Sequence, residues 1–144
     1  MTISTLVDTN VLIDVLGPAS LDTRHWSLLA LKQVLADGRI VFSAIVWAEL
    51  SKPSLGEDAL SRAFAWLRPC REDLPFDAAY PAGAAHDLYR RRGGRRERTL
   101  PDFLIGAHAL VGGHRLLTRD PTRYRSYFPR LNILSPETYS PGKG

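Results

Sequence analysis

Thr5-Leu6-Val7-Asp8-Thr9-Asn10 is an apolar run that ends on an acid and two further polar residues. Apolar residues resume at once in Val11-Leu12-Ile13, so the pattern predicts a buried strand, a tight turn and the start of a helix. Such a strand presents the Asp8 carboxylate at its carboxyl end, which is where ligands bind in open α/β sheets. Considered alone, Asp8 is explained equally well as a turn or N-cap residue.

Strands and helices alternate from this stretch along the rest of the chain. Pro75 restricts the strand predicted around it to an edge of the sheet. Alternating strands and helices imply an α/β fold with a mostly parallel sheet covered on both faces. We predict strands at residues 3–7, 39–42, 71–76, 115–118 and 132–134, and helices at 11–16, 21–36, 44–50, 56–67, 78–88 and 103–111.

The composition fits one globular domain. The chain has 144 residues, of which 44% are hydrophobic, and we predict a single domain over residues 1–138 followed by a frayed polar tail at 139–144. No apolar run is long enough to cross a bilayer, so no membrane association is expected. The N-terminus has no basic n-region of a signal peptide, and Cys70 is the only cysteine. These features favour a cytoplasmic location.

Positive charge is concentrated in the last third of the chain. Residues 1–89 carry seven Lys/Arg and eleven Asp/Glu, whereas residues 90–144 carry twelve basic and four acidic side chains. Six arginines fall between Arg90 and Arg98. This asymmetry favours a polyanionic partner, because the guanidinium group binds phosphate through two hydrogen bonds. A basic loop that is merely solvated is the alternative.

Four acids occupy comparable places in the predicted elements. Asp8 and Asp120 directly follow apolar strands, Asp102 stands at the head of an apolar helix, and Glu49 lies within another. Each has a structural explanation: Glu49 can face water, and Asp102 can form a capping box with Thr99. Four converging carboxylates would repel one another, and Mg²⁺ or Mn²⁺ resolves this because both prefer oxygen ligands. An acidic metal site beside arginines suits phosphodiester hydrolysis.

Four stretches around the acids follow one another along the chain. They are Val7-Asp8-Thr9-Asn10-Val11-Leu12-Ile13, Ser43-Ala44-Ile45-Val46-Trp47-Ala48-Glu49-Leu50, Pro101-Asp102-Phe103-Leu104-Ile105-Gly106-Ala107-His108-Ala109 and Leu116-Leu117-Thr118-Arg119-Asp120. Taken in this order, they make the chain resemble the PIN-domain ribonucleases of the VapC toxin class. The resemblance covers about residues 3–134 and implies a three-layer α/β/α sandwich with Mg²⁺- or Mn²⁺-dependent endoribonuclease activity.

The resemblance also implies roles for individual residues. Asp8 and Asp102 would be core metal ligands, and Glu49 and Asp120 would complete the catalytic site. RNA would be the substrate, a small antitoxin would cover the site, and a homodimer is expected. Asn10 and Thr118 would be supporting polar groups, and Arg91, Arg95, Arg96 and Arg119 are predicted to bind RNA.

Other functions fit the residues less well. Phosphatases of the doubly wound type need an acid two residues after the first, where this chain has Asn10. A P-loop is missing, and so is any Cys-x-x-Cys or His-Glu-x-x-His spacing for zinc. His108 is therefore predicted to be a core residue with satisfied hydrogen bonds. A non-catalytic RNA-binding or scaffold protein on the same fold is the alternative function.

Large apolar side chains on short helices predict a groove for an antitoxin segment. One small domain can hardly bury all of them, although the two tryptophans can equally belong to the core. The residues are Trp47, Leu50, Leu55, Trp66 and Leu67.

Overall fold

The computed structural model describes residues 2–17, 19–51, 55–94 and 100–141. Strands and helices alternate as the sequence predicts. The strands are β1 (Ser4–Val7), β2 (Arg39–Ser43), β3 (Cys70–Glu72), β4 (Arg115–Leu117) and β5 (Ile133–Leu134). The helices are α1 (Thr9–Leu16), α2 (Leu21–Asp37), α3 (Ala44–Glu49), α4 (Glu57–Ala63), α5 (Phe76–Arg91), α6 (Leu100–Gly112) and α7 (Thr122–Tyr127), with a 3₁₀ turn at Ala65–Leu67.

The five strands form one parallel sheet in the order β3-β2-β1-β4-β5. β1 is central, and all four of its residues are buried. Because alternate side chains of a strand point to opposite faces, complete burial of β1 requires cover on both faces of the sheet. The fold is therefore the predicted three-layer α/β/α sandwich, with β3 at one edge.

Short polar residues begin several helices. The Ser43 hydroxyl accepts a hydrogen bond from the Ile45 amide at 3.2 Å and caps α3, as the sequence suggests. α2 is capped by Ser20, whose hydroxyl accepts from the Thr23 amide at 3.2 Å. The chain turns from α2 into β2 at Gly38, where a Cβ would lie 2.1 Å from the carbonyl oxygen of Ile3. Only glycine fits there, so the β1–β2 pairing depends on it.

Four details differ from the predicted elements. The strand expected at 71–76 ends at Glu72, so Pro75 lies in the connection to α5 and not in the strand. The helix expected at 56–67 ends at Ala63, and a separate 3₁₀ turn follows. α5 starts at Phe76 after Pro75, so Asp77 lies in its first turn and Pro81 lies inside the helix. α7 was not predicted, because its pattern of Tyr124, Tyr127 and Phe128 is short.

Part of the predicted antitoxin groove belongs to the core instead. Leu50 and Leu67 are buried, so that part of the hypothesis is wrong. Trp66 is exposed, and Trp47 is half-buried, donating from Nε1 to Glu57 Oε2 at 2.7 Å. A cleft of about 500 Å³ remains beside Trp47. It is lined by Trp47, Ala48, Ser51, Leu55, Gly56, Glu57 and Leu60.

The end of the described chain is attached to α2. The Trp26 indole donates to the Tyr139 carbonyl at 3.2 Å, and the Tyr139 hydroxyl donates to Asp37 at 3.4 Å. Residues 142–144 of the predicted tail lie outside the described residues, and a single domain over 1–138 stays a prediction. Within the described ranges, none of the helices has the length and apolar character to span a membrane.

Candidate active site

The carboxyl ends of β1 and β4 lie side by side and define the candidate site. The two strands pair in parallel up to Val7 and Leu117, and the Asp8 amide donates to the Leu117 carbonyl at 2.9 Å. Asp8 and Thr118 are therefore the first residues beyond two neighbouring strands. This is the edge at which parallel sheets bind ligands.

Asp8 is buried and receives several hydrogen bonds. Oδ1 accepts from the Thr9 amide at 2.8 Å, so Asp8 is also the N-cap of α1. Oδ2 accepts from the Thr118 hydroxyl at 2.8 Å, the Tyr124 hydroxyl at 3.0 Å and the Asn10 amide at 3.4 Å. All of these donors are neutral. Asp8 thus carries both roles that the sequence left open, as a helix cap and as an acid in the site.

The pKa of Asp8 is raised from 3.8 to about 6, chiefly by burial. The hydrogen bonds donated to the carboxylate lower the pKa, and the nearby charge of Asp102 adds to the rise. Burial likewise raises the pKa of Tyr124 well above its usual value, with Asp8 and Asp102 adding to the effect. Tyr124 therefore remains a neutral donor to Asp8 at physiological pH. The site holds excess negative charge that a cation would stabilise.

Glu49 reaches the same cleft from the last residue of α3. The Thr9 hydroxyl donates to Glu49 Oε1 at 2.6 Å, and the Thr9 amide donates to Asp8. Thr9 thus joins two acids that lie 41 residues apart in the sequence. Glu49 is exposed, unlike Asp8.

Asp102 lies in the first turn of α6 and forms an ion pair with Arg123 of α7. Both side chains are largely buried, and the Arg123 guanidinium also lies over the Tyr89 ring at 5.3 Å from its centroid. The Thr99 half of the predicted capping box is outside the described residues. The positive charge of Arg123 therefore balances the negative charge of Asp102.

A cleft of about 530 Å³ brings the four predicted acids together. Asp120 enters it just beyond β4, and its amide donates to the Thr118 hydroxyl oxygen at 3.0 Å. The lining residues are Asp8, Thr9, Asn10, Ile13, Glu49, Asp102, Arg119, Asp120, Arg123 and Tyr124.

The arginines predicted to bind RNA are distributed differently. Arg119 lines the cleft, but its guanidinium pairs with the buried Asp14 of α1. Arg91 is exposed at the end of α5 and pairs with Asp87 at 2.9 Å. Arg95 and Arg96 lie outside the described residues. Their contact with RNA stays a prediction.

Sequence reasoning missed Thr9, Asp14, Arg123 and Tyr124. Thr9 directly follows Asp8 in the sequence, but no local pattern predicts that its hydroxyl contacts Glu49. The apolar spacing of Tyr124 and Phe128 indicates a helix that packs inward, and Arg123 precedes it. No local pattern relates Asp14 to Arg119, since they meet only because β4 lies beside β1.

The donor set of the cleft fits a hard divalent cation. Mg²⁺ and Mn²⁺ prefer carboxylate oxygens, and the four acids provide them around a buried residue whose donors are all neutral. Asp8, Asp102, Glu49 and Asp120 are the residues that could hold the ion.

Comparisons with known proteins agree with this architecture. The chain superposes on a VapBC2 structure from Rickettsia felis bound to a DNA fragment from their promoter, with a TM-score of 0.68, 20% identity and coverage of 92% of this chain and 98% of that one. A toxin-antitoxin complex from Klebsiella pneumoniae gives a TM-score of 0.65, with 23% identity and coverage of 94% and 99%. VapBC-1 from nontypeable Haemophilus influenzae gives 0.67, with 20% identity and coverage of 92% and 98%.

Identities this low relate the chain to these structures by fold. A search of curated proteins finds no match. The PIN domain model, however, matches residues 5–128 of the sequence itself, a span that contains all four acids of the cleft. The chain therefore belongs to the PIN domain family.

Proposed function

We propose that this chain is a divalent-metal-dependent endoribonuclease whose active site is the acidic cleft. The observation that carries the proposal is the convergence of Asp8, Glu49, Asp102 and Asp120 on one cleft from four separate elements. Mg²⁺ or Mn²⁺ would be held by these acids. When bound, the ion supplies positive charge that neutralises the phosphodiester and favours deprotonation of the attacking water.

The residues of the chain position the groups that react. Thr118, Tyr124 and the Thr9 amide fix the orientation of the Asp8 carboxylate. Thr9 holds Glu49, which is solvent-exposed at the rim of the cleft. The fixed orientation matters because a reacting group displaced by about 1 Å can lower the rate of catalysis by about 100-fold.

Arg119 and Arg123 also line the cleft, where they pair with Asp14 and Asp102, and their guanidinium groups are suited to a substrate phosphate. A second cavity of about 330 Å³ shares Asp120 and Arg123 with the cleft and is lined by the rings of Tyr89 and Tyr127. Aromatic rings stack on unpaired bases, which favours single-stranded RNA over a duplex. This neighbouring cavity supports RNA as the substrate class.

An acid-to-amide series tests the proposal. Asp102→Asn and Asp120→Asn should each lower Mg²⁺-dependent RNA cleavage by at least 100-fold and weaken the rise in melting temperature that Mn²⁺ causes. Asp73→Asn, at an exposed acid outside the cleft, is the control and should behave as the original chain. Unchanged cleavage by both cleft variants would reject the proposal and leave the non-catalytic RNA-binding alternative.

The biological role that we propose is that of a toxin neutralised by a small antitoxin. The structural relatives are toxin-antitoxin complexes, and the cleft beside Trp47 has an apolar wall for a partner segment. Expression of the chain should arrest bacterial growth, and expression of a small protein encoded beside it should relieve the arrest. Growth that is unaffected by a chain shown to cleave RNA would argue against this role. Size measurement of the chain alone tests the proposed homodimer.

A further inference from the structure

A second cluster of ligating side chains lies outside the acidic cleft. Glu72 of β3, His108 of α6 and His114 before β4 offer one oxygen and two nitrogens, all within 4.8 Å of one another. Both Nε2 atoms lie 2.9 Å from the same atom, Glu72 Oε1. None of the three residues lines the acidic cleft.

The hydrogen bonds fix the state of both imidazoles. Because both Nε2 atoms share one carboxylate oxygen, each carries a proton and donates it to Glu72. His114 Nδ1 lies 2.6 Å from the Ser4 hydroxyl, whereas His108 Nδ1 is buried without a partner in the described part of the chain. The orientation of His108 is therefore governed by Nε2 alone. The prediction of a fully satisfied His108 is wrong for this atom.

The electrostatic setting favours an ionised carboxylate. Partial burial acts to raise the pKa of Glu72, but the hydrogen bonds from His108 and His114 outweigh it and hold the pKa below its usual range. The side chain of Glu72 is 31% exposed, while those of His108 and His114 are 0% and 3% exposed. Two buried imidazoles thus meet a carboxylate whose side chain is partly exposed, which leaves a path for an ion.

We propose that Glu72, His108 and His114 bind a zinc-class divalent cation. The Nε2 proton of each imidazole moves to Nδ1 of the same ring, so that both Nε2 lone pairs become free to bind the ion. Two histidines and one glutamate are a ligand set that zinc uses with an open fourth position. Zinc–ligand bonds of about 2.0–2.2 Å in tetrahedral geometry separate ligand atoms by about 3.3 Å. The two nitrogen–oxygen separations of 2.9 Å therefore need to open by a few tenths of an ångström, and the ligating atoms, all within 4.8 Å of one another, need to move onto one centre.

The expected affinity for zinc depends on the hydrogen bonds that hold the two imidazoles in place. Ser4 can orient His114 by accepting from Nδ1–H once Nε2 binds the ion, as metal-binding histidines usually require. His108 has no such support, so we expect weaker binding than at a closed four-ligand zinc site. Sequence spacing could not reveal the cluster, because its members lie 36 and 6 residues apart and no local zinc motif exists.

Equilibrium dialysis with Zn²⁺ in excess Mg²⁺ tests the proposal, since Mg²⁺ occupies oxygen sites and competes poorly for imidazole. The original chain should bind one Zn²⁺. Glu72→Gln should lose binding by at least 100-fold, yet keep its metal-free melting temperature, because the amide oxygen can still accept from both imidazoles. Asp8→Asn is the control and should still bind one Zn²⁺, which separates this site from the proposed nuclease centre.

Ser4→Ala provides a second variant that keeps all three ligands. It should weaken Zn²⁺ binding by about 10- to 100-fold by removing the partner of His114 Nδ1. The Nε2–H signals of His108 and His114 in NMR spectra should disappear on Zn²⁺ addition, and the signal of a His114 Nδ1–H bonded to Ser4 should appear. Zn²⁺ binding that is equal in the original chain, Glu72→Gln and Ser4→Ala would overturn the proposal, as would the absence of binding by the original chain.

Discussion

Asp8 is a buried acid with only neutral donors around it, so its charge costs stability when no cation is bound. Its pKa is raised from 3.8 to about 6, and the folded state therefore holds the proton more tightly than the unfolded chain. The free energy of unfolding of the metal-free protein should fall as the pH rises from about 4 to about 6 and then level off. The total loss is up to about 3 kcal/mol, at 1.36 kcal/mol per pKa unit.

In Asp8→Asn the free energy of unfolding should no longer fall between about pH 4 and about pH 6, because an amide does not titrate. We expect the variant to be more stable than the original chain above pH 6 in EDTA and equally stable near pH 4. Urea unfolding across this pH range measures the effect. A variant that follows the same pH curve as the original chain would show that Asp8 is not the titrating group.

Arg123 competes with a metal ion for Asp102. Arg123→Gln removes the internal cation, so the Mn²⁺ concentration that gives half of the thermal stabilisation should fall by about three- to tenfold, or roughly 1 kcal/mol. Arg125→Gln on the same helix is a matched control, since its partner Glu137 is exposed and outside the cleft. A midpoint that stays the same in Arg123→Gln would exclude such competition.

At the scale of elements, α6 and α7 together position three residues of the site, Asp102 on α6 and Arg123 and Tyr124 on α7. A Cβ on Gly106 would lie 2.5 Å from the Phe128 ring and 3.1 Å from the Tyr124 ring. Gly106→Ala should therefore push α7 outward, cost about 1–3 kcal/mol and weaken the Tyr124 contact with Asp8. Gly83→Ala, with open space around it on α5, should instead gain up to about 1 kcal/mol. Thermal unfolding measures the stability of both variants. A Gly106→Ala protein as stable as the original chain would contradict the close packing of Gly106 against Phe128 and Tyr124.

The sequence predicts elements well where apolar residues are dense or regularly spaced. α2 has apolar residues at helical spacing, α6 is apolar on nearly every side, and β1 is a short buried run that ends at Asp8. α7 was missed because six residues hold less than two turns of pattern. The acids were identified from their places after strands and within apolar helices, whereas their partners Arg123 and Tyr124 depend on tertiary packing that no local spacing records.

At the scale of the whole molecule, positive charge is concentrated beyond residue 90. If the basic segment contacts phosphates, RNA affinity should fall steeply with salt. Replacing Arg91, Arg95 and Arg96 by Ala should reduce the slope of log K against log salt by about two to three and weaken all RNA sequences alike. Replacing the exposed Arg24, Lys32 and Arg62 by Ala removes equal charge elsewhere and should leave the slope nearly unchanged. If log K falls with log salt at the same slope in both triple variants, the basic segment does not contact RNA phosphates and is only solvated surface.

The end groups of cleaved RNA test the central claim most directly. Purified chain incubated with single-stranded RNA and Mg²⁺ should produce fragments with 5′-phosphate and 3′-hydroxyl ends, because water attacks the phosphodiester. EDTA, or the Asp8→Asn substitution, should abolish these fragments. Fragments with 2′,3′-cyclic phosphates would instead mean attack by the RNA's own hydroxyl. Those ends, or full cleavage by Asp8→Asn, would contradict a metal-dependent nuclease built on Asp8.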